Sequence, residues 1–238
     1  MIYQASKTTW LNPNIEYLFD SEIIEYDMSD AGFSLVKEFH LLSDDEIERL
    51  TLMGKGVDRH IAIGNLQRNN KQFSNELLRC FTELRKFFID YNNLDDSKII
   101  SVKKDAFFTI GPCRRTKFGS IKFAEKNRYT SYLRLTNIND VEIYYSSAKL
   151  DVKGITAPAL NRHRLYMLEF ISKMMGMIEA KDPHVKRYLI KFIDEYKAHD
   201  LDDAYYLEFN RFSRDIDPIF NFQKLIIPLT QIISRELI

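Results

Sequence analysis

Two aspartates stand where apolar residues are expected. Asp27 sits near the end of the run IIEYDM at 23–28, and Asp105 interrupts IISVKKDAFF at 99–108. An antiparallel sheet can set two such strands side by side and bring their carboxylates within a few ångströms. Ionised carboxylates that close repel unless a shared proton, a basic partner or divalent cations neutralise them. Oxygen-only ligation suits Mg2+, and a Mg2+ pair can clamp the attacking and leaving oxygens of phosphoryl transfer. Each aspartate also has a purely structural use. Asp105 can pair with Lys103 or Lys104 on an exposed strand face, and Asp27 can cap the helix that YDMSDAGFSL begins.

The elements that must carry these side chains follow from hydrophobic period and punctuation. SEIIEYDM (21–28) predicts a strand and residues 29–43 a helix, with Phe33, Leu35, Val36, Phe39 and Leu42 on its apolar side. Ser43 followed by Glu46 is a capping box for a helix over 43–50, and the glycines of MGKGVDR break the chain after it. Phe73, Leu77, Leu78, Phe81, Leu84 and Phe88 define a long amphipathic helix that ends near YNNLDDS. A strand over 99–110 then turns at GPC and returns along IKFAEK as a hairpin, with further strands in YTSYLRL and VEIYYSS. Helical periodicity marks 163–179, 184–197 and 222–235. Strands and helices in this order predict the α+β class.

Composition narrows the functions. The 238 residues are 45% hydrophobic and 29% charged, which predicts a packed core. The two cysteines, Cys80 and Cys113, have no ligand-like spacing, which argues against a disulfide scaffold or zinc site and suits a reducing, cytoplasmic setting. The first residues do not read as a signal peptide, and no apolar run is long enough to span a membrane. The five histidines show no metal-ligand pairing. Lysines and arginines balance aspartates and glutamates at 34 each, yet residues 16–48 are strongly acidic and 103–128 strongly basic. Such a basic segment is either a solvated face or a place to hold a polyanion.

In chain order, YDMSDAGFSL, RNNKQFSN, SVKKDAFF, KNRY (126–129) and DVKGI (151–155), followed by helices, resemble the motifs of palm-domain nucleotidyltransferases, most of all family B DNA polymerases. The resemblance covers roughly residues 21–200. It implies a palm-like antiparallel sheet with packed helices over 1–160, a small fingers-like insertion at about 44–98, and a helical thumb-like region over 161–238. Asp27 and Asp105 would then be catalytic and ligate Mg2+. Arg59, Arg68, Lys71 and Lys104 would meet a nucleoside triphosphate, with Arg68 and Lys71 three apart on one helix face. Lys126, Arg128, Tyr129 and Lys153 would grip a primer–template. The implied function is template-directed nucleotidyl transfer. The alternative is a non-catalytic palm-like subunit that binds nucleic acid or a replication or transcription partner, and a protein partner could supply missing domains. Ala106 and Phe107 stand where the hairpin motif has a second aspartate. The serine and tyrosine–glycine expected after Asn75 are also absent, and no exonuclease portion is implied. The compact layout suits a phage or mobile element. Aromatics among the basic residues (Phe118, Phe123, Tyr129, Tyr132) suit either base stacking or a strand core.

Overall fold

A computed structural model describes residues 3–135, 141–155, 165–202, 229–231 and 235. The chain divides into two compact units: Met1–Pro13 with Ile23–Arg128, and Asn14–Glu22 with Tyr129–Ile238. This seam falls earlier than the expected boundary at 160 and gives YTSYLRL and VEIYYSS to the second unit.

The first unit opens with β1 (Thr9–Leu11); β2 (Tyr17–Leu18) comes next in the chain but belongs to the second unit. Then come β3 (Ile23–Met28), α1 (Ala31–Glu38), α2 (Asp44–Leu52), α3 (Val57–Asn69) and α4 (Lys71–Asn92). Four strands follow: β4 (Ile99–Lys103), β5 (Ala106–Ile110), β6 (Lys117–Phe118) and β7 (Ile121–Tyr129). The sheet order is β1-β4-β5-β3-β7-β6, and β1–β4, β4–β5, β3–β5 and β6–β7 all pair antiparallel.

Period-two alternation sends Ile24, Tyr26 and Met28 of β3 into the core and leaves Glu25 and Asp27 on the opposite face. Helix α4 covers the core face. Its buried Phe73, Leu77, Phe81, Leu84 and Phe88 recur at three- and four-residue steps, as the sequence predicts, but Leu78, expected in the same stripe, turns outward and is exposed. Phe88 anchors it, with its ring centroid 4.6 Å from that of Phe107 and 4.5 Å from that of Phe123. Asn70 caps this helix by accepting from the Phe73 amide at 3.0 Å. The predicted capping box also forms: Glu46 Oε2 accepts from the Ser43 amide at 3.0 Å and from its hydroxyl at 2.7 Å.

Two strand expectations change. Residues 99–110 form a tight hairpin, β4 turning through Lys104 and Asp105 into β5, because Lys104 takes the left-handed conformation at φ 46°. IKFAEK does not return along β5. It opens β7, which lies beside β3 and forms its own hairpin with β6 across Gly119 and Ser120.

The second unit holds β8 (Ser131–Leu135), β9 (Val141–Ser146) and β10 (Lys149–Lys153), in the sheet order β10-β9-β8-β2. Strand β10 was not expected from the sequence. A π-helical turn over Leu165–Phe170 runs into α5 (Ile171–Glu179), and α6 (Val185–Ala198) follows. Met174, Met175, Leu189 and Phe192 pack with Leu133, Ile143 and Tyr145 in one apolar cluster. The helix expected over 222–235 lies largely outside the described residues. The architecture is therefore mixed helix and antiparallel sheet, in line with the α+β expectation.

Candidate functional site

The two aspartates meet at one corner of the first sheet. In the β3–β5 register Asp27 faces Ala106, so Asp105, one residue earlier in the turn, stands beside it. The Met28 amide donates to the Asp105 carbonyl at 3.1 Å and holds the strand end against the turn.

The turn is anchored from below by Arg85 of α4, which is almost completely buried. Its Nη1 donates to the Lys104 carbonyl and its Nε to the Ala5 carbonyl, both at 2.8 Å, while Nη2 reaches Thr82 Oγ1 at 3.2 Å. Those fixed acceptors satisfy a buried guanidinium, and desolvation lowers the pKa of Arg85 from its ordinary value. The Lys104 amide also donates to the Thr8 carbonyl at 2.5 Å.

Electrostatics ties the two carboxylates together. Burial raises the pKa of Asp105, and the negative charge of Asp27 raises it further. Lys126 of β7 offsets that repulsion. Its Nζ lies 2.7 Å from Asp27 Oδ2 and 3.9 Å from Glu25 Oε1, and the bond to Asp27 raises the lysine's own pKa. Asn127 donates to the buried Glu25 carboxylate beside it. Among the described residues no group of three or more His, Cys, Asp or Glu side chains is placed to hold a metal ion.

A cleft of about 300 Å³ opens next to Asp105. Its walls are the start of α1 at Ala31 and Gly32, the α3 stripe His60, Ile63, Gly64 and Gln67, and Phe81 and Lys104. The Lys104 ammonium sits 5.3 Å from the Phe81 ring centre. The sequence reading did not assign His60, Gly64 and Gln67. Their four- and three-residue steps mark one helix face, but nothing local shows that this face borders a cleft.

The other expected site residues are placed differently. Arg59 is buried, ion-paired with Asp30, and its guanidinium lies 4.1 Å over the Phe33 ring, so it serves the core. Arg68 and Lys71 do not share a helix face. The extended Asn70 at φ −127° ends α3 and starts α4 between them, and both side chains are exposed and absent from the cleft walls. Lys126 is engaged by Asp27. Arg128 chelates Glu125, its Nη2 donating to Oε2 at 2.8 Å. Tyr129 and Lys153 fall in the second unit. There the Tyr129 ring is buried and its hydroxyl donates to the Asp151 carboxylate, while Lys153 ends β10 half-buried. Of the expected set, Asp27, Asp105, Lys104 and Lys126 share this corner.

Residues 1–226 match the family described as bacteriophage PBS1 gene 130 protein. No curated protein matches the chain.

Proposed function

The chain belongs to the bacteriophage PBS1 gene 130 protein family, and we propose that its first unit works as a palm-like nucleotidyltransferase site of the DNA-polymerase kind. The observation that carries this reading is the register that sets Asp105 of a hairpin turn beside Asp27 of the neighbouring strand. The cleft against that turn supports it, because it offers room for a small ligand next to Asp105.

The donor set fits Mg2+. That ion takes one or two carboxylates and completes its shell with water and substrate phosphates, and the mutual repulsion of Asp27 and Asp105 is the field a divalent cation relieves. When bound, Mg2+ neutralises charge on the transferred phosphate and acidifies the attacking hydroxyl. Asp27 and Asp105 would hold it, and Arg85 keeps the hairpin turn in place beneath them. Lys104 meets a triphosphate from the cleft edge, with His60 and Gln67 as donors from α3. In this reading the substrates are nucleoside triphosphates and a primer–template, α5 and α6 are thumb-like, and the working compartment is the host cytoplasm.

A second reading is a non-catalytic palm-like subunit that binds nucleic acid or a replication partner. The Lys126 ammonium favours it, since it already neutralises Asp27 at 2.7 Å. Mg2+-dependent incorporation of labelled nucleotide on a primed template separates the two. The enzymatic reading expects Asp27→Ala and Asp105→Asn each to lower incorporation by roughly a thousandfold or more. Incorporation that survives both substitutions overturns it. No incorporation by the unaltered chain, with binding that weakens steeply in salt, selects the second reading.

A further inference from the structure

A second opening in the first unit has different chemistry. A cleft of about 510 Å³ lies between the outer face of α4 and the β6–β7 hairpin. Phe87 and Tyr91, four apart on α4, are 43% and 47% exposed, unusual for large rings with a core beside them. Their centroids are 5.8 Å apart with planes 20° from parallel. Phe118 of β6 completes the set, 6.3 Å from Phe87 and 5.7 Å from Tyr91. The Arg115 guanidinium stands 5.2 Å over Tyr91.

We propose that this face is a base-stacking site for single-stranded nucleic acid. Two exposed rings, backed by the half-buried Phe118, give planar surfaces for nucleobases, and the cations beside them match a phosphate backbone. Residues 114–122 carry Arg114, Arg115, Lys117 and Lys122 and no carboxylate, and all four side chains are exposed. Bases in a duplex are already stacked on one another, so only a single strand can present its faces to these rings.

The platform is held in place. Asn92 of α4 pins the basic loop at both backbone groups of Arg115: its Oδ1 accepts from the amide at 2.8 Å, and its Nδ2 donates to the carbonyl at 2.7 Å. Across the cleft, Glu38 Oε2 accepts from the Ser120 amide at 2.9 Å and its hydroxyl at 2.5 Å, fixing the turn that follows Phe118. Gly119 has φ 59°, the left-handed region that favours glycine, and a Cβ there would push the Glu38 carboxylate off the turn. The same Glu38 carboxylate disfavours an acidic peptide inside the cleft, whereas a nucleobase leaves its phosphate outside on the cations.

This site does not depend on turnover at Asp27 and Asp105. Phe81 lines the cleft beside Asp105, and Tyr91 lies ten residues further along α4, about 15 Å down the helix.

Fluorescence anisotropy of a short labelled oligothymidylate with the full chain tests the proposal. Binding is expected to weaken as salt rises. Phe87→Ala and Tyr91→Ala should each weaken it by roughly tenfold. Tyr91→Phe should stay within about twofold, because the ring remains. Arg115→Ala should flatten the log–log salt slope by about one. Tyr91→Leu keeps an apolar cover while removing the ring, and it should lose the same binding, with an unchanged thermal melt showing that the fold is intact. The proposal is overturned by full binding in Phe87→Ala and Tyr91→Ala, by equal binding of a duplex of the same length, or by a polyglutamate that competes as well as the oligothymidylate. Self-association of the chain through this face, abolished by Tyr91→Ala, would also overturn it.

Discussion

The hairpin corner and the aromatic cleft occupy the same unit and draw on the same residue types, yet they treat cations in opposite ways. Arg85 beneath the corner and Arg59 in the nearby core are buried. One is matched by two carbonyls and a hydroxyl and the other by Asp30. At the cleft, Arg115 has its backbone pinned by Asn92 but lays an exposed guanidinium over Tyr91. A guanidinium becomes structural when fixed acceptors meet its N–H fork without water. One left above a ring in solvent stays free to meet a ligand. Residue type is the same in both cases, so it does not by itself separate the two roles.

Unfolding in urea would sharpen that contrast most. Arg85→Ala leaves the Ala5 and Lys104 carbonyls buried without their donor and should cost about 3–4 kcal/mol. Arg59→Ala strands the Asp30 carboxylate in the core and should cost about 3 kcal/mol. Arg115→Ala should stay within about 0.5 kcal/mol, as exposed substitutions do. An Arg115 effect as large as that of Arg59 would erase the distinction.

Cys113 reports how dry the base of the basic loop is. Burial pushes its thiol up to about 11 from an ordinary 9.0. Iodoacetamide at pH 8 should therefore alkylate the native thiol about 100-fold more slowly than the unfolded one. The thiol is protonated in both states below pH 9 and ionises first when unfolded. Stability should accordingly fall as pH rises from 9.0 to about 11, and Cys113→Ala should remove that part of the decline. Alkylation at the same rate in both states would place this loop in water.

The smallest effect concerns Lys126. If it competes for Asp27 as a half-exposed ion pair does, Lys126→Ala should tighten Mg2+ binding by about two- to fivefold in a calorimetric titration. Weaker binding would make Lys126 an ally of the ligand rather than its rival.

Much of the first unit was readable in the primary structure. Strand β3, the Ser43–Glu46 capping box and the apolar stripe of α4 lie where residue spacing put them, since each depends on neighbours within a turn or two. The β4–β5 hairpin was missed for an instructive reason. Residues 99–102 and 106–109 are buried on either side of the turn, so the run looks like one buried strand. Val102 and Phe107, five apart, share the core face only because the chain turns between them. No glycine or Asn-Gly pair marks the turn, because Lys104 itself adopts the left-handed backbone there. Helical spacing alone sets Arg68 and Lys71 on one helix face, because the pattern runs through both. The signal that parts them was present in Asn70, which caps the next helix through the Phe73 amide.

Chain chemistry alone thus settled strand β3, the Ser43–Glu46 cap and the apolar stripe of α4, because those follow from period and capping within a few residues. The partners of the charges were settled only by folding. Lys126 meets Asp27 across 99 positions, and Arg85 reaches Ala5 across 80. Strand order and the seat of α4 make those meetings, and no short-range pattern encodes them. The same long-range packing leaves Arg115 in water and Arg59 out of it, and so determines which cations a ligand can reach.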